Sequence, residues 1–116
     1  MNVSEAEGRL GVALPETLRM LYSEGDGRHR EDGQWWVVWP LDQVVERNLA
    51  AWADGSLPTV LIAFGDDGTG NPFCMDVTGD DPTVVHWSWI DRDLDGLIGP
   101  MATFADQWLG ESSAAE

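Results

Sequence analysis

Asp91-Arg92-Asp93-Leu94-Asp95-Gly96 has the spacing of the first half of a calcium loop. Carboxylates on alternate residues and a glycine at the sixth position suit a chain wrapped around a hard cation. The second half does not follow. The twelfth position, which should supply a bidentate glutamate, is Ala102, and Gly99-Pro100 interrupts the exit helix. A solvated acidic loop accounts for the segment without a metal.

A second stretch sets two apolar runs around Gly65-Asp66-Asp67-Gly68-Thr69-Gly70-Asn71-Pro72. Glycine-rich loops that cradle phosphate are followed by Lys and Ser/Thr in fixed places. Neither follows here, and two aspartates stand inside the loop. The glycines fit a hairpin turn that needs positive φ at Gly68 or Gly70.

Nucleophilic chemistry has few candidates. Cys74, the single cysteine, lies in an apolar strand and reads as an inert buried thiol. His86 falls mid-strand and His29 in a polar loop, with no local motif joining either to Cys74. Zinc meets the same shortage of ligands. Nothing among the aspartates separates a general acid from a base. No catalytic residue, metal or cofactor is assigned.

The charge points to binding. Twenty-one acidic residues face six arginines, for a formal net charge of −15. Residues 59–116 hold eleven of the acids and only Arg92. Such a field repels nucleic acid and anionic membrane and attracts cationic partners. The same charge would also serve solubility alone. No apolar run approaches the ~18 residues of a membrane span. Met1-Asn2-Val3-Ser4-Glu5 lacks the basic and apolar regions of a secretory signal, and one cysteine allows no internal disulfide. Cytoplasmic residence is the default expectation.

The elements that position these residues follow from periodicity. Ser4 and Glu7 read as a capping box opening a first helix. Pro15 with Leu14, Leu18, Leu21 and Tyr22 predicts a second, stopped by Gly25-Asp26-Gly27. Residues 28–34 read as a polar loop and Trp35–Trp39 as a strand. Leu41–Ala53 returns to helical spacing, with Leu41, Val44, Val45, Leu49 and Trp52 on one face. Strands are predicted at Thr59–Phe64, Phe73–Val77 and Val84–Ile90, and a short helix at Pro100–Leu109. The turn at Gly79–Pro82 keeps the last two strands adjacent. The expected fold is α+β, a single domain over residues 1–110: a C-terminal three-strand antiparallel meander plus an earlier strand, packed with helices. Residues 111–116 are expected to form a flexible tail.

In a meander, alternate loops share one end of the sheet. Asp66, Asp67, Asp91, Asp93 and Asp95 should therefore gather at one end, with Asp80 and Asp81 at the other. Of the seven tryptophans, Trp52, Trp87, Trp89 and Trp108 read as core. Trp35 and Trp36 are adjacent and point to opposite faces, which leaves Trp36 as a candidate interface anchor.

Leu10-Gly11, Leu14-Pro15, Leu18-Arg19, Leu21-Tyr22 and Asp26-Gly27, in that order, resemble the N-terminal signature of the SUKH superfamily. The similarity continues through Trp39-Pro40-Leu41, Val44, Asn48, Phe64-Gly65-Asp66-Asp67-Gly68, Gly70-Asn71, Phe73, Asp76, Val85 and Trp87 to Phe104 and Trp108-Leu109. It spans residues 5–109. That superfamily includes the yeast cell-wall assembly regulators and many bacterial immunity proteins encoded beside toxins, often nucleases. The resemblance implies a compact α+β fold, no enzymatic activity and direct binding of a protein. A cognate toxin domain, basic where it grips nucleic acid, is the expected partner. Asp66, Asp67, Asp91, Asp93 and Asp95, with Trp36, are the candidate contact residues. The alternative is a regulatory or scaffolding module acting in host signalling or cell-envelope control.

Overall fold

The computed structural model describes residues 1–30, 35–77 and 83–109. The predicted turn at Gly79–Pro82, with Asp80 and Asp81, and the tail 111–116 lie outside the described residues. Helix α1 (Val3–Leu10) begins two residues earlier than the capping box implies. Asn2 is its cap, accepting a bond from the Glu5 amide at 2.8 Å. Ser4 lies inside the first turn. Glu7 instead accepts from the Leu14 amide at 2.7 Å, tying α1 to the approach of α2 (Glu16–Ser23). From α2, the Tyr22 hydroxyl donates to the Trp39 carbonyl at 2.6 Å. Burial pushes that phenol far above its usual range, so it stays a neutral donor.

Part of the predicted polar loop is a strand. β1 (Arg28–Arg30) pairs antiparallel with β2 (Trp35–Val38). An Arg-His-Arg run carries no apolar alternation by which to recognise it. Helix α3 (Leu41–Asp54) opens after Pro40, which offers no side-chain cap. The Asp26 carboxylate serves in its place, accepting from the Leu41 amide at 2.7 Å.

The main sheet is a meander, β3 (Leu61–Asp66), β4 (Pro72–Asp76), β5 (Thr83–Ser88) and β6 (Asp93–Pro100), antiparallel throughout. The α+β expectation holds, with one strand more than the three expected. β6 occupies the segment read as an acidic loop. Two bulges conceal it: Trp87 pairs with Leu94 but His86 with Gly96, and Val85 pairs with Leu97 but Val84 with Gly99. Asp95 and Ile98 are the extra residues, so the two-residue alternation is broken twice. β4 also departs from a one-sided strand. Phe73, Cys74 and Met75 are all fully buried, so both faces are covered.

The outer edge of β3 is closed by side chains of α3. The Asn48 amide donates to the Ala63 carbonyl at 2.7 Å and its oxygen accepts from the Ala63 amide at 2.8 Å. Trp52 Nε1 donates to the Leu61 carbonyl at 2.9 Å. β2 lies against the same strand, with the Trp39 amide donating to the Phe64 carbonyl at 2.8 Å. Gly65 permits this approach, because a Cβ there would stand 1.8 Å from the Val37 carbonyl oxygen. On the inner face Phe104, ending α4 (Met101–Phe104), packs edge-on against Phe64 and Phe73 at 5.4 and 4.9 Å between centroids. A π-helical turn, Ala105–Leu109, continues α4 and brings Trp108 to 4.8 Å from Phe73. Edge-to-face geometry is the favourable arrangement for such rings.

Candidate functional site

The β3–β4 and β5–β6 turns lie at one end of the meander. The first is fixed by its own aspartates. Asp66 Oδ1 accepts from the Gly68 and Gly70 amides at 2.6 and 3.2 Å. Asp67 Oδ1 accepts from the Thr69 amide and hydroxyl at 2.7 and 2.6 Å. Side-chain bonds of this kind stabilise a turn from within. Gly68 has φ +92°, and a Cβ there would stand 3.1 Å from the Trp35 indole.

His86 then draws two carboxylates together. Its Nε2 lies 2.7 Å from Asp67 Oδ2 and its Nδ1 lies 3.2 Å from Asp95 Oδ2. The bulge on β6 is what makes the second contact. It inserts Asp95 between the positions opposite Trp87 and His86 and turns its carboxylate toward the imidazole. Burial pushes the Asp67 carboxyl upward, but bonds from Thr69 and His86 outweigh it and hold the group below its ordinary range.

The other predicted acids are placed differently. The Asp91 amide donates to Ser88 Oγ at 3.2 Å, within a tight β5–β6 turn where Arg92 has φ 52°. Asp93 begins β6, exposed, with its carboxylate accepting from the Leu94 amide at 2.8 Å. It lines a groove on the outer face of the sheet, whereas His86 shares the inner face with Phe73. Asp91, Asp93 and Asp95 thus share an end of the sheet with Asp66 and Asp67, but only Asp95 is joined to Asp67.

Trp36 and Asp66 share a cleft of about 330 Å³ with Trp35, Trp39 and Arg47. Trp35 Nε1 donates to the Asp66 carbonyl at 2.9 Å, and the Arg47 guanidinium stacks 4.6 Å above Trp39. Trp36 is half-buried, its ring edge-on to His29 at 5.0 Å. Such a cleft accepts flat or cationic groups by stacking beside a negative rim.

Cys74 and His86 do not form a pair. Phe73 is registered with His86 and Cys74 with Val85, so thiol and imidazole face opposite sides of the sheet. Burial also pushes the thiol far up, away from the nucleophilic thiolate. Among the described residues no cluster of His, Cys, Asp and Glu could hold a metal ion. No described helix is long and apolar enough to cross a membrane.

Sequence reasoning missed His86, Trp35, Trp39 and Arg47 as parts of this surface. His86 had a usable signal, a polar ring on a strand face otherwise given to packing. Arg47 had none, since its stacking on Trp39 joins two elements. The model of the SMI1/KNR4 family (SUKH-1) matches residues 2–111. No curated protein matches the chain.

Proposed function

The chain belongs to the SMI1/KNR4 family (SUKH-1), and from that membership we propose that it is an immunity protein that binds and neutralises a cognate toxin domain. The observation that carries this reading is the acidic end of the sheet. There Asp66 borders a tryptophan cleft, and its neighbour Asp67 is linked through His86 to Asp95. A toxin that acts on nucleic acid needs a basic groove for phosphate. An acidic surface competes for that groove and speeds encounter. Asp66, Asp67, Asp91, Asp93 and Asp95 supply the steering charge, and Trp36 the stacked anchor. No catalytic step is required. The mechanism is occlusion, in the cytoplasm, before the toxin reaches its substrate.

The test starts from the open reading frame beside the gene. Co-expression should protect cells from the toxin domain encoded there, and the purified pair should associate more slowly when Asp66→Asn/Asp67→Asn is introduced. Loss of protection by the intact protein would refute neutralisation. Unchanged association at low salt would refute the assignment of these two aspartates. Should the gene stand beside housekeeping loci alone, the reading passes to a regulatory or scaffolding module.

A further inference from the structure

The outer face of the meander carries a groove of about 480 Å³ whose walls include Leu61, Val85, Trp87, Leu94 and Leu97. Its walls are largely apolar, yet two of its leucines face solvent. Leu94 is 51% and Leu97 75% exposed. The bulge at Asp95 creates this arrangement. Leu94 and Leu97 are three apart, a spacing that would put them on opposite faces of a regular strand. With Asp95 as the extra residue, Leu94 registers with Trp87 and Leu97 with Val85, and all four share one face. Ile90, 90% exposed, sits in the neighbouring β5–β6 turn. Exposed apolar surface of this kind, rimmed by polar groups, marks an interaction site.

Charge decides what covers it. Asp76 and Asp93 lie in the groove lining, and the half of the chain that builds this sheet has eleven acids to one arginine. A second copy would set −15 against −15, with Asp93 and Asp95 of each β6 brought close. We propose that the groove receives a protein segment presenting aliphatic side chains flanked by Lys or Arg. The aliphatic groups cover Leu94, Leu97 and Trp87, and the cations meet Asp76 and Asp93. Resting on the partner-binding reading above, this deepens it. The acidic turns steer the partner in, and the groove holds it, so the two surfaces govern association and dissociation respectively.

The probe is an octapeptide alternating Val and Lys, titrated into isotopically labelled protein and followed by amide and indole NMR shifts. Ser/Lys and Val/Glu octapeptides are the controls. Saturable shifts at Leu94, Leu97 and the Trp87 indole are expected with the Val/Lys peptide. Affinity should fall at least tenfold in Leu94→Ser/Leu97→Ser, two exposed positions whose replacement leaves the spectrum folded. The Val/Glu peptide should not bind. Equal shifts from the Ser/Lys peptide, or shifts confined to residues 66–70, would overturn the proposal. So would concentration-dependent shifts at Leu94 and Leu97 without peptide, which would make the occupant a second copy. Because no toxin is used, a groove that binds while protection fails removes the toxin reading alone. Protection by a chain whose groove ignores the peptide removes the groove alone.

Discussion

His86 Nε2 lies 2.7 Å from Asp67 Oδ2, so a ring in the middle of β5 holds the turn between β3 and β4. The folded chain favours the charged form of Asp67, whose carboxyl sits below its ordinary range. A depressed carboxyl contributes stability that is present above the unfolded value, about 4, and is lost as pH falls through the folded value beneath it. Thermal melts should therefore show a wild-type advantage over Asp67→Asn at pH 7 that vanishes near pH 2. The difference should be on the order of 1 kcal/mol, as for one hydrogen-bonded charge near the surface. Parallel curves for the two proteins across this range would contradict the assigned role.

Asn48 closes the β3 edge with both ends of one amide. Asn48→Ala would leave the Ala63 amide and carbonyl unpaired in a buried place. Each such group costs roughly 1–3 kcal/mol, so urea unfolding should report a loss of about 2–6 kcal/mol. Asn48→Asp should not rescue, because a carboxylate accepts but cannot donate to the Ala63 carbonyl.

Gly65→Ala tests the contact between the two sheets. The new methyl would meet the Val37 carbonyl oxygen, and the clash is with backbone. β2 would have to leave β3, or β3 would have to rearrange at Phe64, the extra residue between Ala63 opposite Cys74 and Gly65 opposite Phe73. A loss of about 3 kcal/mol is expected by urea titration, at the upper end of overpacking costs. The Trp35 and Trp36 fluorescence should shift with it.

Cys74 should be silent in the native protein. Its side chain is fully buried and its thiol is pushed far up by burial. At pH 8 iodoacetamide should modify it only after unfolding in urea, as read by mass spectrometry. Rapid native labelling would mean that the β4 core opens locally.

The salt dependence of association with the proposed toxin partner tests the acidic surface. Steering by exposed carboxylates is screened within ~8 Å at physiological ionic strength. The association rate should fall with added salt, and Asp66→Asn/Asp67→Asn should flatten that slope. Dissociation should change little.

Where local periodicity had something to read, the sequence was legible. The Leu18, Leu21 and Tyr22 stripe, the Val44 and Val45 pair and Leu61 to Phe64 became buried as expected, while Val60, read as part of the same strand, is 42% exposed. Leu49 did not, being 39% exposed while Asn48 beside it is buried. An asparagine on a core face looks like an error until the unpaired edge of β3 is known. β6 was hidden because its bulges spoil the two-residue rhythm, and β1 because all three of its residues are polar. The shared end of the meander could be deduced from topology. The link from Asp67 through His86 to Asp95 could not, since it depends on which residue a bulge displaces.

The sheet has two unlike margins. On one, an amide side chain does the work of a neighbouring strand. Beyond β6 no described strand follows. An open margin is where edge-to-edge aggregation starts, and β6 has leucines at hand to drive it. Its bulges spoil the straight ladder that a second strand would need, and Asp93 and Asp95 bracket Leu94 with like charge. They act as gatekeepers. Neutralising both to asparagine should make the chain form fibres or precipitate near its stability limit. The acidity of β6 would then guard the protein against itself as well as attract a partner.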